Sequence, residues 1–361
     1  MIVSSVRIND FRNLKDATVN TKANKIFLIG NNGQGKTNFL EALYFCAYGS
    51  SFRGSADKEI TQAGSKDFSS CINVFENTNN SDNFTNIHVK YENEKKQIFL
   101  NEKKINDRKE LLSVVPCIVF CHEDMEFVSG SHERRRWFFD QVLSLYDPLY
   151  LDDLRCYRRI IKSRNNVLRE NNSEALLDAL DQQCMFYGKR LMEKRRLAAE
   201  LFSGIYSDLF KKVADIDGMS VKYSPSWKCG TEREILEHLQ KHREADLAVG
   251  LSQTGPHRDR YVFIVNNVEY TKTASTGQRR LLALLLRVAQ ACRFLEMTGK
   301  KPVLLLDDVL LEMDGEKRRR FLAALPDYDQ AFFTFLPEEP FHEYKNNNTI
   351  VYHINDGQII V

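Results

Sequence analysis

No stretch of this 361-residue chain approaches the roughly 18 consecutive apolar residues that a membrane span requires. The longest candidate, Leu281 to Leu286, is stopped by Arg287. No CxxC pair occurs among the eight cysteines. Cys117 and Cys121 sit in an apolar run beside His122, and no second ligand pair follows at zinc-site spacing. They read as buried thiols, in a chain suited to a reducing compartment. Neither sign of charge is in excess: Lys+Arg number 51 and Asp+Glu 49, a net +2. The molecule as a whole is no polycation, so any nucleic acid must be held by a local basic surface. Met1 to Arg7 lacks the basic head and apolar core of a signal peptide and alternates like a strand. Sustained heptads and internal repeats are missing, which argues against a long coiled coil. Zinc-finger, RRM and homeodomain patterns are also missing, so any nucleic acid would be met by its shape and not by its base sequence. The expected setting is the cytoplasm, with no membrane partner.

What is present has the balance of a soluble globular protein, 43% hydrophobic and 28% charged. Short β-like runs and one clear helix fill residues 1–125. A charged, helix-like stretch fills 126–249, and strand texture returns over 250–361. The predicted fold is α/β, a mixed sheet assembled from both ends of the chain and interrupted by a helical insertion. Within the insertion, Trp137, Phe138, Val142, Leu143 and Leu145 are candidates for one apolar face. Met185, Leu191, Leu197, Leu201 and Ile205 are candidates for another. Asn166, Asn171, Asn172 and Ser173 mark a break between helices. Asn77–Asn86 and Lys345–Asn348 read as polar loops.

The strongest local signal begins at Lys25–Ile29, a buried-strand pattern. It runs into Gly30, Asn31, Asn32, Gly33, Gln34, Gly35, Lys36 and Thr37, and then a helical run from Asn38 to Phe45. Strand, glycine-rich loop and helix in that order form a P-loop. Glycines let the backbone close around phosphate oxygens with its N–H groups inward. The helix aims its positive end at the same anion. Lys36 offers a cation to the β- and γ-phosphates of ATP, and Thr37 a hydroxyl to Mg²⁺. Far downstream, Val303–Leu306 is an apolar strand ending in Asp307 and Asp308. Asp307 is placed to hold Mg²⁺, with Thr37, and Asp308 to orient or deprotonate the attacking water.

A second anion-binding helix start lies just before that strand. Ser275, Thr276, Gly277 and Gln278 precede the helical run Leu281–Ala289, with Ser275 or Thr276 as N-cap. One protomer needs a single such loop for its own phosphates; a second makes sense if it serves a nucleotide held by another copy. Ser-x-Gly-Gln before a helix resembles the signature motif of ABC-type ATPases. That resemblance places Ser275, Gly277 and Gln278 in trans, across a two-head sandwich.

Further segments make the resemblance specific. Phe11-Arg12-Asn13, Asn38-Phe39-Leu40-Glu41-Ala42, Ser51-Phe52-Arg53, Gly130-Ser131 with Arg134, Arg135 and Asp140, Gly255-Pro256-His257-Arg258-Asp259, and Leu306-Asp307-Asp308-Val309 resemble motifs of the RecF family of ABC/SMC-type ATPases. The matches extend from residue 7 to about 335. Some positions depart from the pattern. His122 and His132 stand where proline is usual, Arg260 where a second Asp is usual, Leu311 where Ser is usual, and Phe335 where a smaller polar residue is common. Glu312 and Asp314 match, and Leu311 and Phe335 fall near the expected dimer interface. The resemblance implies an ABC-type ATPase head with an inserted helical arm. It implies ATP and Mg²⁺ as cofactors and weak, DNA-stimulated hydrolysis. It also implies an ATP-dependent homodimer on gapped or junction DNA, and work with RecR and RecO to load RecA at the nucleoid. An SMC-like chromosome-organising ATPase is the alternative, though the insertion lacks the coiled-coil heptads that reading needs. A monomeric metabolic P-loop enzyme would leave the Ser275 loop without a role.

Residues 131–212 hold 16 Lys/Arg against 12 Asp/Glu. The cations come in groups: Arg134 to Arg136; Arg155, Arg158, Arg159 and Lys162; and Lys189, Arg190, Lys194, Arg195 and Arg196. The second group is at helical spacing and can share one face for phosphate contacts. Trp137 and Trp227 are available for base stacking or for core packing.

Overall fold

The computed structural model describes the chain except residues 79, 80, 171, 172 and 312 and the side chains of 77, 78, 81 and 82. The chain forms two compact units, Met1–Asp124 with Gln290–Val361, and Met125–Ala289.

The first unit has two six-stranded sheets. One runs in the order Gln358–Ile360, Thr349–Asn355, Lys25–Ile29, Gln330–Phe335, Val303–Leu306, Cys117–Phe120. It is parallel except for its last-in-sequence edge strand. Its central strands Lys25–Ile29, Gln330–Phe335 and Val303–Leu306 are largely apolar and almost wholly buried, as strands covered on both faces must be. The other is an antiparallel sheet of Ala17–Asn20, Ile2–Asn9, Phe68–Thr78, Ser81–Glu92, Lys95–Leu100 and Lys103–Ile105. The helix Lys36–Tyr48 touches both sheets. Ser70 Oγ donates to its Ala42 carbonyl, and Phe39 meets Phe332 on the opposite side. That is why this helix is apolar almost all round, with Phe39 through Tyr48 buried.

The second unit is built on the helices His132–Tyr146, Pro148–Glu170 and Glu174–Ala214. The last has 41 residues and spans about 60 Å. A three-stranded sheet, Val268–Glu269, Arg260–Val265 and Met219–Ser224, completes it.

Several expectations change here. The second boundary lies between Ala289 and Gln290, not between 249 and 250. Strand Arg260–Val265 pairs along its whole length with Met219–Ser224, which draws the Gly255-to-Ala289 segment into the second unit. Within the expected loop Asn77–Asn86, residues 79 and 80 lie outside the described residues and the remainder is strand, Phe68–Thr78 pairing with Ser81–Glu92, because cross-strand pairing satisfies the backbone. Asn171 and Asn172 lie outside the described residues, while Ser173 caps helix Glu174–Ala214 through the Leu176 N–H. On that helix the inward face runs through Met185, Leu191, Arg195, Phe202 and Tyr206, whereas Leu197 and Leu201 are 58% and 42% exposed. An ion-paired arginine holds a place in the core that an apolar pattern search assigns to leucine.

Candidate functional site

Two crossover-linked parallel strands deliver their C-terminal ends to one place, where ligands of α/β sheets bind. Lys25–Ile29 leads into the glycine loop and Val303–Leu306 into Asp307. Strand Gln330–Phe335 lies between them. The loop is shaped by close approach. A Cβ on Gly30 would stand 2.4 Å from the Ile354 carbonyl oxygen. One on Gly35, at φ 120°, would stand 2.8 Å from the Leu14 side chain. Asn13 Nδ2 donates to the Gly33 carbonyl (2.9 Å), and the Gly357 N–H to that of Gln34 (3.0 Å). The loop is thus braced by both chain ends.

Helix Lys36–Tyr48 starts from Gly35 with no side-chain cap, so its first N–H groups are open to an anion. Lys36 is buried, its ammonium donating to the carbonyls of Gly30 (2.7 Å) and Asn31 (3.2 Å). Thr37 Oγ1 donates to Asp307 Oδ1 at 2.9 Å, joining residues 270 apart in sequence. A cleft of about 280 Å³ is lined by Asn32, Gly33, Gly35, Lys36, Thr37, Asn38, Arg53 and Asp308. Burial, and then the Asp308 charge, push the Asp307 carboxyl up to about 6, against the hydroxyls of Thr37 and Thr334 and the Arg53 cation. A buried acid with a half-buried acid next to it, beside a threonine hydroxyl, fits a divalent cation, and an uncapped helix start fits a polyphosphate.

Two participants escaped the sequence reading. Thr334 accepts the Asp308 N–H (2.7 Å) and donates to Asp308 Oδ1 (2.8 Å), holding Asp308 in left-handed backbone at φ 50°. Only the strand order places this residue between the two motifs; a lone Thr in an aromatic strand gave no local signal. Arg53 adds a cation to the cleft, donating to Asn38 Oδ1 (3.0 Å) and pairing with Glu41 (3.5 Å). Glu41 has no exposed surface. It receives Arg12 through both carboxylate oxygens, at 3.0 and 2.9 Å, and Ser51. The three family-like segments containing Arg12, Glu41 and Arg53 are therefore one ion cluster behind the phosphate loop. Phe335 is fully buried and stacks on Tyr344, so it lies in the core of its unit and not on a surface available to a second copy. Leu311 is 37% exposed. Glu312 is outside the described residues, and Asp314 caps helix Gly315–Ala324.

In the second unit, Ser275 Oγ accepts the Gln278 N–H (3.3 Å) while Gln278 Oε1 accepts the Ser275 N–H (2.8 Å). This is a reciprocal capping box. Ser275, Thr276, Gly277 and Gln278 are all exposed, and nothing lies within 4 Å of a Cβ built on Gly277.

The basic groups sort by burial. Arg158, Arg159 and Lys162 are exposed and share a face of Pro148–Glu170 with the half-buried Arg155. Arg195 is not surface at all. It pairs with Asp140 and Asp259, each at 2.8 Å, and donates to the Pro256 carbonyl. Arg135 is buried too. Trp227 is core, its Nε1 donating to Thr254; Trp137 is 39% exposed and stacks on Phe127.

Residues 2–359 match the family model described as the RecF/RecN/SMC N terminal domain. The chain is 43% identical over 350 residues to the DNA replication and repair protein RecF of Treponema pallidum, covering 96% of this chain and 98% of that one. The chain belongs to the RecF family. A solved structure of the recombination mediator protein RecF with ATP, in the RecFOR pathway, covers 99% of this chain and 97% of its own at a TM-score of 0.88 and 27% identity. An Smc head bound to the C-winged helix domain of ScpA has the same fold at TM-score 0.58 and 14% identity, covering 100% and 97% of the two chains. The RecF fold is thus an α/β head of the ABC/SMC ATPase class. Among the described residues no helix is long and apolar enough to cross a membrane.

Proposed function

We propose that this chain is an ATP-dependent DNA-binding protein of recombinational repair and replication-fork recovery. Gly30 to Thr37 hold the triphosphate, and Thr37 with Asp307 would hold Mg²⁺, which would supply charge neutralisation to the phosphates. Asp308, oriented by Thr334, positions or deprotonates the attacking water. Ser275, Gly277 and Gln278 of one copy face the nucleotide held by the other, so that ATP closes a homodimer on gapped or junction DNA. Slow, DNA-stimulated hydrolysis reopens it. RecR is the direct protein partner in this reading, with RecO and RecA in the same pathway, in the cytoplasm at the nucleoid.

The observation that carries the reading is the 2.9 Å Thr37–Asp307 bond beneath an uncapped helix start. The exposed Ser275 box supports the action in trans, since a serine cap with an open approach can meet a phosphate of another molecule. Size-exclusion chromatography tests it: the wild type shifts to dimer with ATP only. Ser275→Arg binds ATP and stays monomeric, and Lys36→Met does neither. ATP-driven dimerisation of Ser275→Arg that matches wild type sinks the trans assignment.

A further inference from the structure

A cleft of about 750 Å³ opens in the second unit at the start of helix His132–Tyr146, beside the end of strand Met219–Ser224 and the turn Pro256–Arg258. Its lining includes Arg136, Lys228, Arg258 and Arg260 against a single carboxylate, Glu133. The neighbouring acid, Asp259, is buried and committed elsewhere, to Arg195, Tyr223 and the Ser226 N–H. Among the described residues, Arg258 and Arg260 are exposed and carry no ion pair. Arg136 is held in place by the Asp259 carbonyl (2.7 Å). The positive end of a 15-residue helix points the same way, and His132 Nδ1 at its first turn is buried without a hydrogen-bond partner. Burial, then the charges of Arg135, Arg260 and Arg136, lower the proton affinity of His132. Of these causes, the three guanidinium charges are the ones that favour an anion there.

We infer that this cleft is a binding site for the sugar–phosphate backbone of DNA. It is far larger than one phosphate ion needs, and its cations are spread over three elements, which suits consecutive phosphodiesters. The lining has guanidinium, ammonium and hydroxyl groups and no Phe, Tyr or Trp ring to stack on a base, so it suits backbone and not bases. Arg258 and Arg260 were in none of the basic groups read from the sequence, because one turn and one strand start bring them to the helix end. The inference rests on the DNA-binding reading above and adds the residues that grip the strand.

The test uses the full chain with ATP, a labelled gapped duplex and a salt series. The double variant Arg258→Gln, Arg260→Gln binds the duplex about ten-fold or more weakly, and the slope of log affinity against log salt falls by about 2. Its ATP binding and thermal midpoint match wild type, since neither side chain packs in a core. Wild-type affinity and slope in that variant overturn the inference. Inorganic phosphate that displaces the duplex well beyond chloride at equal ionic strength also overturns it, in favour of a small-anion site. If the wild type itself binds ATP and no DNA of any form, the broader DNA reading fails, which is a distinguishable result.

Discussion

At the residue scale, the two adjacent acids are each held by a threonine hydroxyl. Thr334 fixes the backbone and carboxylate of Asp308 while Thr37 holds Asp307, so two adjacent carboxylates are kept apart in role. Asp308→Asn keeps the shape and removes the charge. ATP binding and nucleotide-dependent dimerisation are expected to persist while turnover drops about 10²- to 10³-fold; turnover equal to wild type would remove Asp308 as the water-orienting acid. Glu41 is a different kind of residue, a fully buried carboxylate answering two arginines. Glu41→Gln leaves Arg12 half-buried without its counter-charge, and a loss of about 2–4 kcal/mol is expected in chemical denaturation. A midpoint unchanged from wild type would show that the cluster is solvated and contributes little.

At the element scale, tight turns set where the helices and strands can go. Gly255 sits at φ 126°, where a Cβ would lie 2.5 Å from Tyr157 Oη and 3.1 Å from the Trp227 ring. Only glycine lets the chain pass between these rings and turn into Pro256–Arg258. Gly255→Ala should cost about 2–4 kcal/mol by forcing the two aromatics apart. Intrinsic fluorescence reports it, because the buried Trp227 shifts to the red as water reaches it. An unshifted spectrum with an unchanged midpoint would refute the steric argument.

At the scale of the whole molecule, stability is linked to pH through histidines kept neutral. His257 accepts the Tyr157 hydroxyl proton at Nδ1 (3.0 Å) and donates from Nε2 to the Ser252 carbonyl (2.9 Å) in its neutral form. Burial lowers its pKa to about 4, against about 6.5 when unfolded. Between those values the unfolded chain binds a proton that the folded chain refuses, so stability falls as pH drops. From pH 6.5 to 5 the loss is about 1–2 kcal/mol, and His132 and His238, both lowered chiefly by burial, act in the same direction. The Asp307 carboxyl, raised to about 6, works in the opposite direction over the same window, so the histidine share is read as a difference. The stability of wild type relative to His257→Gln should fall by about 1–2 kcal/mol from pH 6.5 to 5 in denaturant melts, and equal slopes in the two would move the effect elsewhere.

The local sequence was enough for the strand, glycine loop and helix, the acidic strand end and the capped Ser275 helix. Each is a contiguous stretch in which strand, turn and helix propensities agree with the chemistry. The alternation of β and helical texture was likewise enough for an α/β head with an insertion. Three things needed the folded chain. The end of the insertion moved to Ala289 because antiparallel pairing with Met219–Ser224, a long-range contact, decided which unit residues 250–289 joined. Arg195 left the list of surface cations because Asp140 and Asp259, distant in sequence, offset the cost of burying it. Thr334, Arg53 and the Arg258–Arg260 cleft came into view only in the folded chain, because strand order and turns gathered them. Local propensity is a property of neighbours along the chain, whereas burial, ion pairing and convergence on a site are properties of neighbours in space.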